Sequence, residues 1–220
     1  LHYIDPVGAC STIIFEMMNE YGVMLDQIDD EQVSTLLFFG IRVDTNELLS
    51  DGTCQRDWDA YRALSDLVDK KKVSQILNYS YPSYYREVEK LTFDECNYRE
   101  HQGWFMCGLG YISTSRKDSL STIAEKITRI EGYETAIIFA IIDNALVASI
   151  RSINNSVDVN TLCKKIFGEN HGGGRKGAGG ATVPLGMFSA DKADAETQVL
   201  VWKCVRELTF QAINRAALGR

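Results

Sequence analysis

The chain has 220 residues, 45% of them hydrophobic and 24% charged, enough to bury a substantial core in one domain or two, and unlike a disordered or fibrous sequence. Its net charge of −7 argues against broad adhesion to nucleic acid or acidic membranes, so any polyanion has to be met by a local cationic pocket. Six scattered cysteines without CxxC or CxxH spacing read as reduced core thiols, and no leader or long apolar span is apparent, which points to a cytoplasmic protein with no membrane partner.

The opening Leu1-His2-Tyr3-Ile4-Asp5-Pro6 runs straight into an apolar-periodic stretch, as if a domain were joined partway through. Ile13, Ile14, Met17 and Met18 recur at helical spacing and predict a helix from Val7 to about Tyr21, with Gly22 as its stop. Asp29 and Asp30 can cap a second helix, whose inward stripe of Val33, Leu36, Leu37 and Ile41 ends beside Asp44. Asp44 therefore sits at an element's end, where an aspartate serves equally as a turn or cap residue or as a ligand. Asp57, Trp58, Tyr61, Leu64 and Leu67 predict a third amphipathic helix, and Lys70-Lys71-Lys72 a solvated corner. The pattern breaks at Pro82, after which Tyr84, Val88, Leu91 and Cys96 predict a long helix leading out of the first unit. The division expected is a first unit over 1–80, a linker helix over 81–102 and a second unit over 103–220.

Past Gly103 the periodicity changes. Trp104 to Thr114 is strand-like, Leu120, Ile123, Ala124 and Ile127 form a helix face, and Thr135 to Ile142 is an uninterrupted buried strand. Asp143-Asn144 turns it, so Leu146 to Ser152 returns as an antiparallel partner that leaves Arg151 and Ser152 at its end. Asp158 caps a short helix through Leu162 and Ile166 that stops at Gly168. A last helix, about 194 to 216, carries Val201, Val205, Leu208 and Ala212 on one side. These elements predict an α+β unit around a mixed sheet.

The stretch 168–180, Gly-Glu-Asn-His-Gly-Gly-Gly-Arg-Lys-Gly-Ala-Gly-Gly, reads as a glycine loop. It formally contains GxGxxG but follows a helix, and Ala178 stands where a Walker loop needs Lys-Ser/Thr after its glycine, so neither nucleotide motif fits. Glycines at 172, 173 and 174 let backbone N–H groups approach an anion, Arg175 can fork onto phosphate or carboxylate oxygens, and Lys176 adds a point charge. A flexible linker is the plainer alternative.

Tyr3-Ile-Asp-Pro-Val-Gly-Ala-Cys-Ser-Thr, Gly40-Ile-Arg-Val-Asp-Thr, Ser149-Ile-Arg-Ser and Gly172-Gly-Gly-Arg, in that order over nearly the whole chain, resemble the DHH phosphoesterase family in its RecJ-like, oligoribonuclease and exopolyphosphatase-related branch. The resemblance implies an α/β chain: the helical remainder of a DHH catalytic domain, a linker helix, then an α+β substrate-binding domain with a mixed central sheet. It implies a two-domain cleft holding a manganese pair, with Asp44 as a metal ligand and catalytic residue, Arg151 and Ser152 on substrate phosphate, and Gly172, Gly173 and Gly174 as the substrate loop. Arg175 stands where the family usually has histidine; it keeps bidentate phosphate recognition but cannot titrate near neutrality.

The Asp-His-His triplet that names the family is absent from this sequence, and the chain is expected to begin after it. One carboxylate cannot hold two manganese ions, so the chain alone is expected neither to bind them nor to be active. The substrates implied are short oligonucleotides, dinucleotides or related phosphate compounds, with a homodimer compatible with the family. The alternative is a non-catalytic nucleotide- or nucleic-acid-binding or regulatory module, since a Gly-Gly-Gly-Arg loop is also similar to that of the C-terminal domain of alanyl-tRNA synthetases. A structural protein with an unrelated mixed fold is the third reading.

Overall fold

The computed structural model describes residues 6–23, 25 and 31–218, and divides into two compact units, 1–80 and 81–220. Among the described residues no helix is long and apolar enough to cross a membrane.

The first unit is helical: α1 (Cys10–Glu20), α2 (Glu31–Asp44), α3 (Gln55–Ser65) and α4 (Lys70–Leu77). Its core gathers Ala9 and Phe15 from the α1 region, Leu37, Phe38 and Ile41 from α2, Leu48, and Ala60 and Leu64 from α3. The predicted stripes hold for Leu37, Ile41 and Leu64, which enter the core, and for Val33, Tyr61 and Leu67, which pack against it. Ile14, Leu36 and Trp58 are exposed, while Thr12, Phe15, Ser34, Phe38 and Asp57 face inward. The reason is a close crossing: a Cβ on Gly40 would lie 2.0 Å from Ser11 Oγ, so small and polar side chains mark the packed faces. The lysine run is exposed, as expected, and it also opens a helix, for Asp69 accepts from the Lys71 and Lys72 amides and starts α4 there. The caps expected at Asp29 and Asp30, and the opening Tyr3-Ile4-Asp5, lie outside the described residues.

The second unit opens with α5 (Tyr84–Thr92) and β1 (Tyr98–His101), so residues 81–102 comprise a helix and an edge strand, and Cys96 lies beyond the helix. There follow β2 (Trp104–Tyr111), α6 (Asp118–Ile127), β3 (Thr135–Ile142), β4 (Ala145–Ser152), α7 (Val159–Phe167), β5 (Gly172–Arg175), β6 (Ala178–Pro184) and α8 (Ala195–Leu218). The six strands lie in the order β1-β2-β3-β4-β6-β5, antiparallel except where β3 joins β2 in parallel through α6. This is the mixed α/β architecture expected. Every residue of β3 is buried because both faces of the sheet are covered there. On one face Tyr85, Val88, Leu120, Ile123 and Ile127 of α5 and α6 pack on Phe105, Ala136, Ile138 and Ala140. On the other, Leu162, Cys163, Phe167, Phe210 and Ile213 of α7 and α8 pack on Ile137, Phe139, Ala148 and Ile150.

Two expectations are corrected in this unit. Leu208 is exposed, and α8 turns inward through Trp202, Val205, Phe210 and Ile213, an equally periodic stripe whose aromatic members bury more surface. The glycine stretch is not an open loop but a β-hairpin: β5 and β6 meet at the Arg175↔Ala178 pair, with Lys176-Gly177 as the turn and Gly177 at φ +82°.

Candidate functional site

Three of the hairpin's glycines have a steric cause, two of them against α7 and one against the neighbouring strand β6. A Cβ on Gly172 would stand 2.5 Å from Cys163 O, one on Gly179 2.7 Å from both Cys163 Sγ and Val159 Cγ1, and one on Gly174 2.4 Å from Ala178 O. The bare strands let α7 lie close against them, and Asn160 Oδ1 accepts from Gly174 N at 3.1 Å. Gly173 differs, because the nearest atom to its added Cβ is Asn160 Oδ1 at 3.9 Å, which is ordinary contact. Close packing therefore explains its neighbours and leaves Gly173 free for another purpose.

The register shows what lies beside Gly173. One row across the sheet runs Ile138, Ser149, Gly180, Gly173, and the next runs Ala136, Arg151, Ala178, Arg175. Residues in register share a face, here the face on which α6 packs against β3 and β4. Toward β6 and β5 that face becomes a shelf of glycine and alanine, flanked by two guanidinium-bearing side chains and the Ser149 hydroxyl. Arg151 is half-buried and donates from Nη1 to Ile150 O at 2.9 Å and Ser149 Oγ at 3.3 Å. Burial chiefly lowers the proton affinity of its guanidinium; Glu125 opposes that and Arg175 adds to it. Two cations facing one side chain-poor shelf form an electrostatic site that an anion relieves.

Ser152 lies on the other face of β4. It is buried, its Oγ sits 2.8 Å from Thr135 Oγ1, and it accepts from Asn154 N at 3.2 Å while its N–H donates to Gly177 O at 2.9 Å. Its contacts pin the end of β4 to the hairpin turn. Lys176 occupies that turn, beside the shelf's Arg175.

In the first unit Asp44 is the exposed last residue of α2, followed by Asn46, Glu47 and Leu48 at φ 49°, 61° and 66°. Three successive left-handed residues without a glycine are costly, roughly 1–2 kcal/mol each for ordinary side chains, and asparagine the least. Buried Thr45 holds the turn: its Oγ1 donates to Ile41 O at 2.6 Å and accepts from Leu48 N at 3.0 Å, while Arg42 Nε donates to Glu47 Oε1 at 2.6 Å. A carboxylate at a helix C-terminus meets the negative end of the macrodipole, so Asp44 does nothing for α2 as a cap. Asp44→Asn is accordingly expected to leave the thermal midpoint unchanged or raise it, by no more than about 0.3–1 kcal/mol of stability. A fall of several degrees would return Asp44 to the role of a structural turn residue.

The manganese pair implied by the resemblance does not fit what surrounds Asp44. Among the described residues no three His, Cys, Asp or Glu side chains converge as a metal site. Sequence reasoning also passed over Asp57, which it treated as an amphipathic helix position. It is fully buried and accepts from Gly8 N (2.8 Å), Ala9 N (3.3 Å), Thr12 Oγ1 (2.6 Å) and Cys54 N (2.9 Å), tying α1 to α3. The signal available was its place three residues after Cys54, the spacing of a capping box.

Comparison with known proteins agrees with this architecture. Residues 110–200 match the DHHA1 domain. Over these residues the chain is similar to the DHHA1 domain, which supports the likeness to the DHH phosphoesterase family read first from Ser149-Ile-Arg-Ser and Gly172-Gly-Gly-Arg. Over 217 residues the chain is 28% identical to an uncharacterized protein of Methanocaldococcus jannaschii, covering 96% of this chain and 43% of that one. The crystal structure of an exopolyphosphatase-related protein from Bacteroides fragilis superposes with a TM-score of 0.62 at 13% identity, covering 94% of this chain and 58% of the other, and supports the fold. RecJ in complex with Mn2+ from Thermus thermophilus is matched at a TM-score of 0.31 and 12% identity, over 85% of this chain and 28% of that one, too distant to argue from. The chain thus spans about half the length of the first two relatives.

Proposed function

We propose that this chain is part of a phosphoesterase acting on phosphodiester or phosphoanhydride bonds of short oligonucleotides, dinucleotides or related compounds, and that its second unit grips the substrate phosphate. The observation that carries the reading is the register pairing that puts Arg151 and Arg175 in one row beside Gly173, Gly180 and Ser149. A terminal phosphate on that shelf would meet backbone rather than side chains, with guanidinium groups on its oxygens. Ser152 serves this indirectly, by fixing the strand end from which Arg151 projects, and Lys176 adds positive charge at the turn. With a net charge of −7 over the whole chain, gripping a short end is favoured over tracking along duplexes.

Asp44 is proposed as one ligand of a divalent metal, manganese in the family's pattern, whose chemistry when bound would be activation of water for attack on phosphorus. Among the described residues its surroundings supply too few ligands for such a pair. That same observation favours a second reading, a nucleotide-binding or regulatory module without hydrolysis.

Titration with 5′-phosphorylated diadenylate, against the unphosphorylated dinucleotide, tests the shelf. Arg175→Gln is expected to weaken binding of the phosphorylated probe by about 10–100-fold, the loss of a charge-assisted hydrogen-bond pair worth about 1.5–3 kcal/mol, with no change in thermal midpoint. Arg151→Gln should do the same, and the double variant should no longer distinguish the two probes. Unchanged affinity in both variants would overturn the assignment. Manganese-dependent release of mononucleotide by the full-length protein, lost in Asp44→Asn, would support the hydrolase; binding without release by the full-length protein under any divalent metal would favour the second reading.

A further inference from the structure

Away from the glycine shelf, and sharing no residue with it, a cleft of about 290 Å³ opens between α5 and α6 of the second unit. Its walls are Phe93, Ile123, Ile127 and Ile130 together with Tyr85 and the stem of Lys126. Ile123 and Ile127 belong to the core, whereas Phe93 and Ile130 are exposed at its rim. A surface furrow lined by core isoleucines leaves apolar area in water that a ligand can cover.

The second observation is Tyr85. The residue is 5% exposed, and its hydroxyl is buried with no hydrogen-bond partner. A buried hydroxyl in that condition costs of the order of 1–3 kcal/mol, and a phenol kept there unpaired calls for an explanation. Burial, and after it the Glu89 carboxylate, push its pKa upward, so it remains a neutral O–H donor across the physiological range. Its ring is held rigidly: Tyr81 stacks on it at 4.6 Å between centroids, and Lys126 Nζ lies 4.4 Å from the centroids of both rings.

The charges at the cleft narrow the ligand. Lys126 Nζ lies 3.5 Å from Glu89 Oε1, and Arg129 Nη2 lies 2.5 Å from Glu125 Oε1, so each cation is already met by a carboxylate. An anion would contend with Glu89 and a cation with Lys126 and Arg129. We propose that this cleft is a binding site for a small, neutral, mainly apolar molecule bearing one carbonyl-type acceptor, which takes the Tyr85 hydroxyl while its body covers Ile123, Ile127 and Phe93. The volume suits a single substituted ring.

The test uses the full 220-residue chain and two probes of nearly equal shape, acetophenone and ethylbenzene, followed by methyl-resolved NMR titration. Both are expected to shift the Ile123, Ile127 and Ile130 methyl signals, with acetophenone binding about ten-fold tighter because a buried donor discriminates against a ligand lacking its acceptor. Tyr85→Phe should keep ethylbenzene binding, abolish the preference for acetophenone, and raise the thermal midpoint, since an unpaired buried hydroxyl is removed. Ile130→Trp, which fills the cleft from its exposed rim without altering Tyr85, should abolish binding of both. If those methyl signals stay still up to the solubility limit, or if the acetophenone preference survives in Tyr85→Phe, the proposal fails.

Discussion

Asp57→Ala is expected to destabilise the first unit by about 3–5 kcal/mol, the largest stability loss of any single side-chain truncation in that unit. The carboxylate receives four donors from two separated stretches of chain: the amides of Gly8 and Ala9 with the Thr12 hydroxyl, and the amide of Cys54. Asp57 itself has no exposure, so removing it strands donors that are buried or half-buried, and each fully stranded donor costs about 1–3 kcal/mol before relaxation. Against total stabilities of about 5–15 kcal/mol for a whole domain, a loss of that size leaves this unit little reserve. Amide hydrogen exchange should show the loss locally: protection across α1 to α3 collapses, while β3 and β4 keep theirs. Unchanged exchange in α1 would mean that helix packing, not the carboxylate, joins these elements. The pH dependence carries the same signature. Burial by itself would raise the pKa of Asp57, but the bonds from Thr12 and from the Cys54 and Gly8 amides outweigh it and hold the folded value below the ordinary 3.8. A depressed folded value means the stabilisation is complete above pH 3.8 and is lost as pH falls through the lower folded value. Asp57→Asn lacks that titration, so its stability deficit should be constant above pH 4 and shrink below it.

How much of this was legible in the sequence depends on which physical signal each element leaves. β3 and β4 were plain, because an unbroken apolar run, a two-residue Asp-Asn turn and a returning apolar run admit few other structures. The capped helix α7 was equally plain, since Asp158 and Gly168 mark its ends and the side chain of Asp158 accepts from Asn160 and Thr161. The small helices of the first unit gave their existence and only part of their facing, as Leu37, Ile41 and Leu64 lie inward but Ile14, Leu36 and Trp58 do not. Their inward residues include Thr12, Ser34 and Asp57, polar groups that a hydrophobic stripe assigns to solvent. β5 was invisible for a related reason: glycine has no β propensity, and the strand exists because β6 pairs with it and α7 needs a surface without side chains. As for the site, Arg151, Arg175 and the glycines could be named from residue chemistry, but that the two arginines share a row is a matter of register, which no local pattern contains.

That register gives the glycines separable roles, which substitution by alanine should expose. Gly172→Ala places a methyl 2.5 Å from Cys163 O and Gly174→Ala one 2.4 Å from Ala178 O, backbone atoms that can retreat only if α7 or β6 moves. Each is expected to cost about 3 kcal/mol, the upper end of overpacking, read as a lower urea midpoint with altered protection in α7 and β6. Gly173→Ala adds the same methyl at ordinary van der Waals distance, 3.9 Å from Asn160 Oδ1, and should change stability by no more than about 0.5 kcal/mol. On a steric account of the hairpin this last variant is silent in every respect. If the shelf seats a phosphate, the methyl instead stands between the ligand and the backbone it would approach, and affinity for 5′-phosphorylated diadenylate should fall about ten-fold or more in a fully stable protein. A Gly173→Ala chain that binds like the parent would remove the shelf as the seat, even if Arg175→Gln still weakens binding. A Gly172→Ala chain as stable as the parent would show that α7 is free to move, and the close-packing account of its neighbours would go with it.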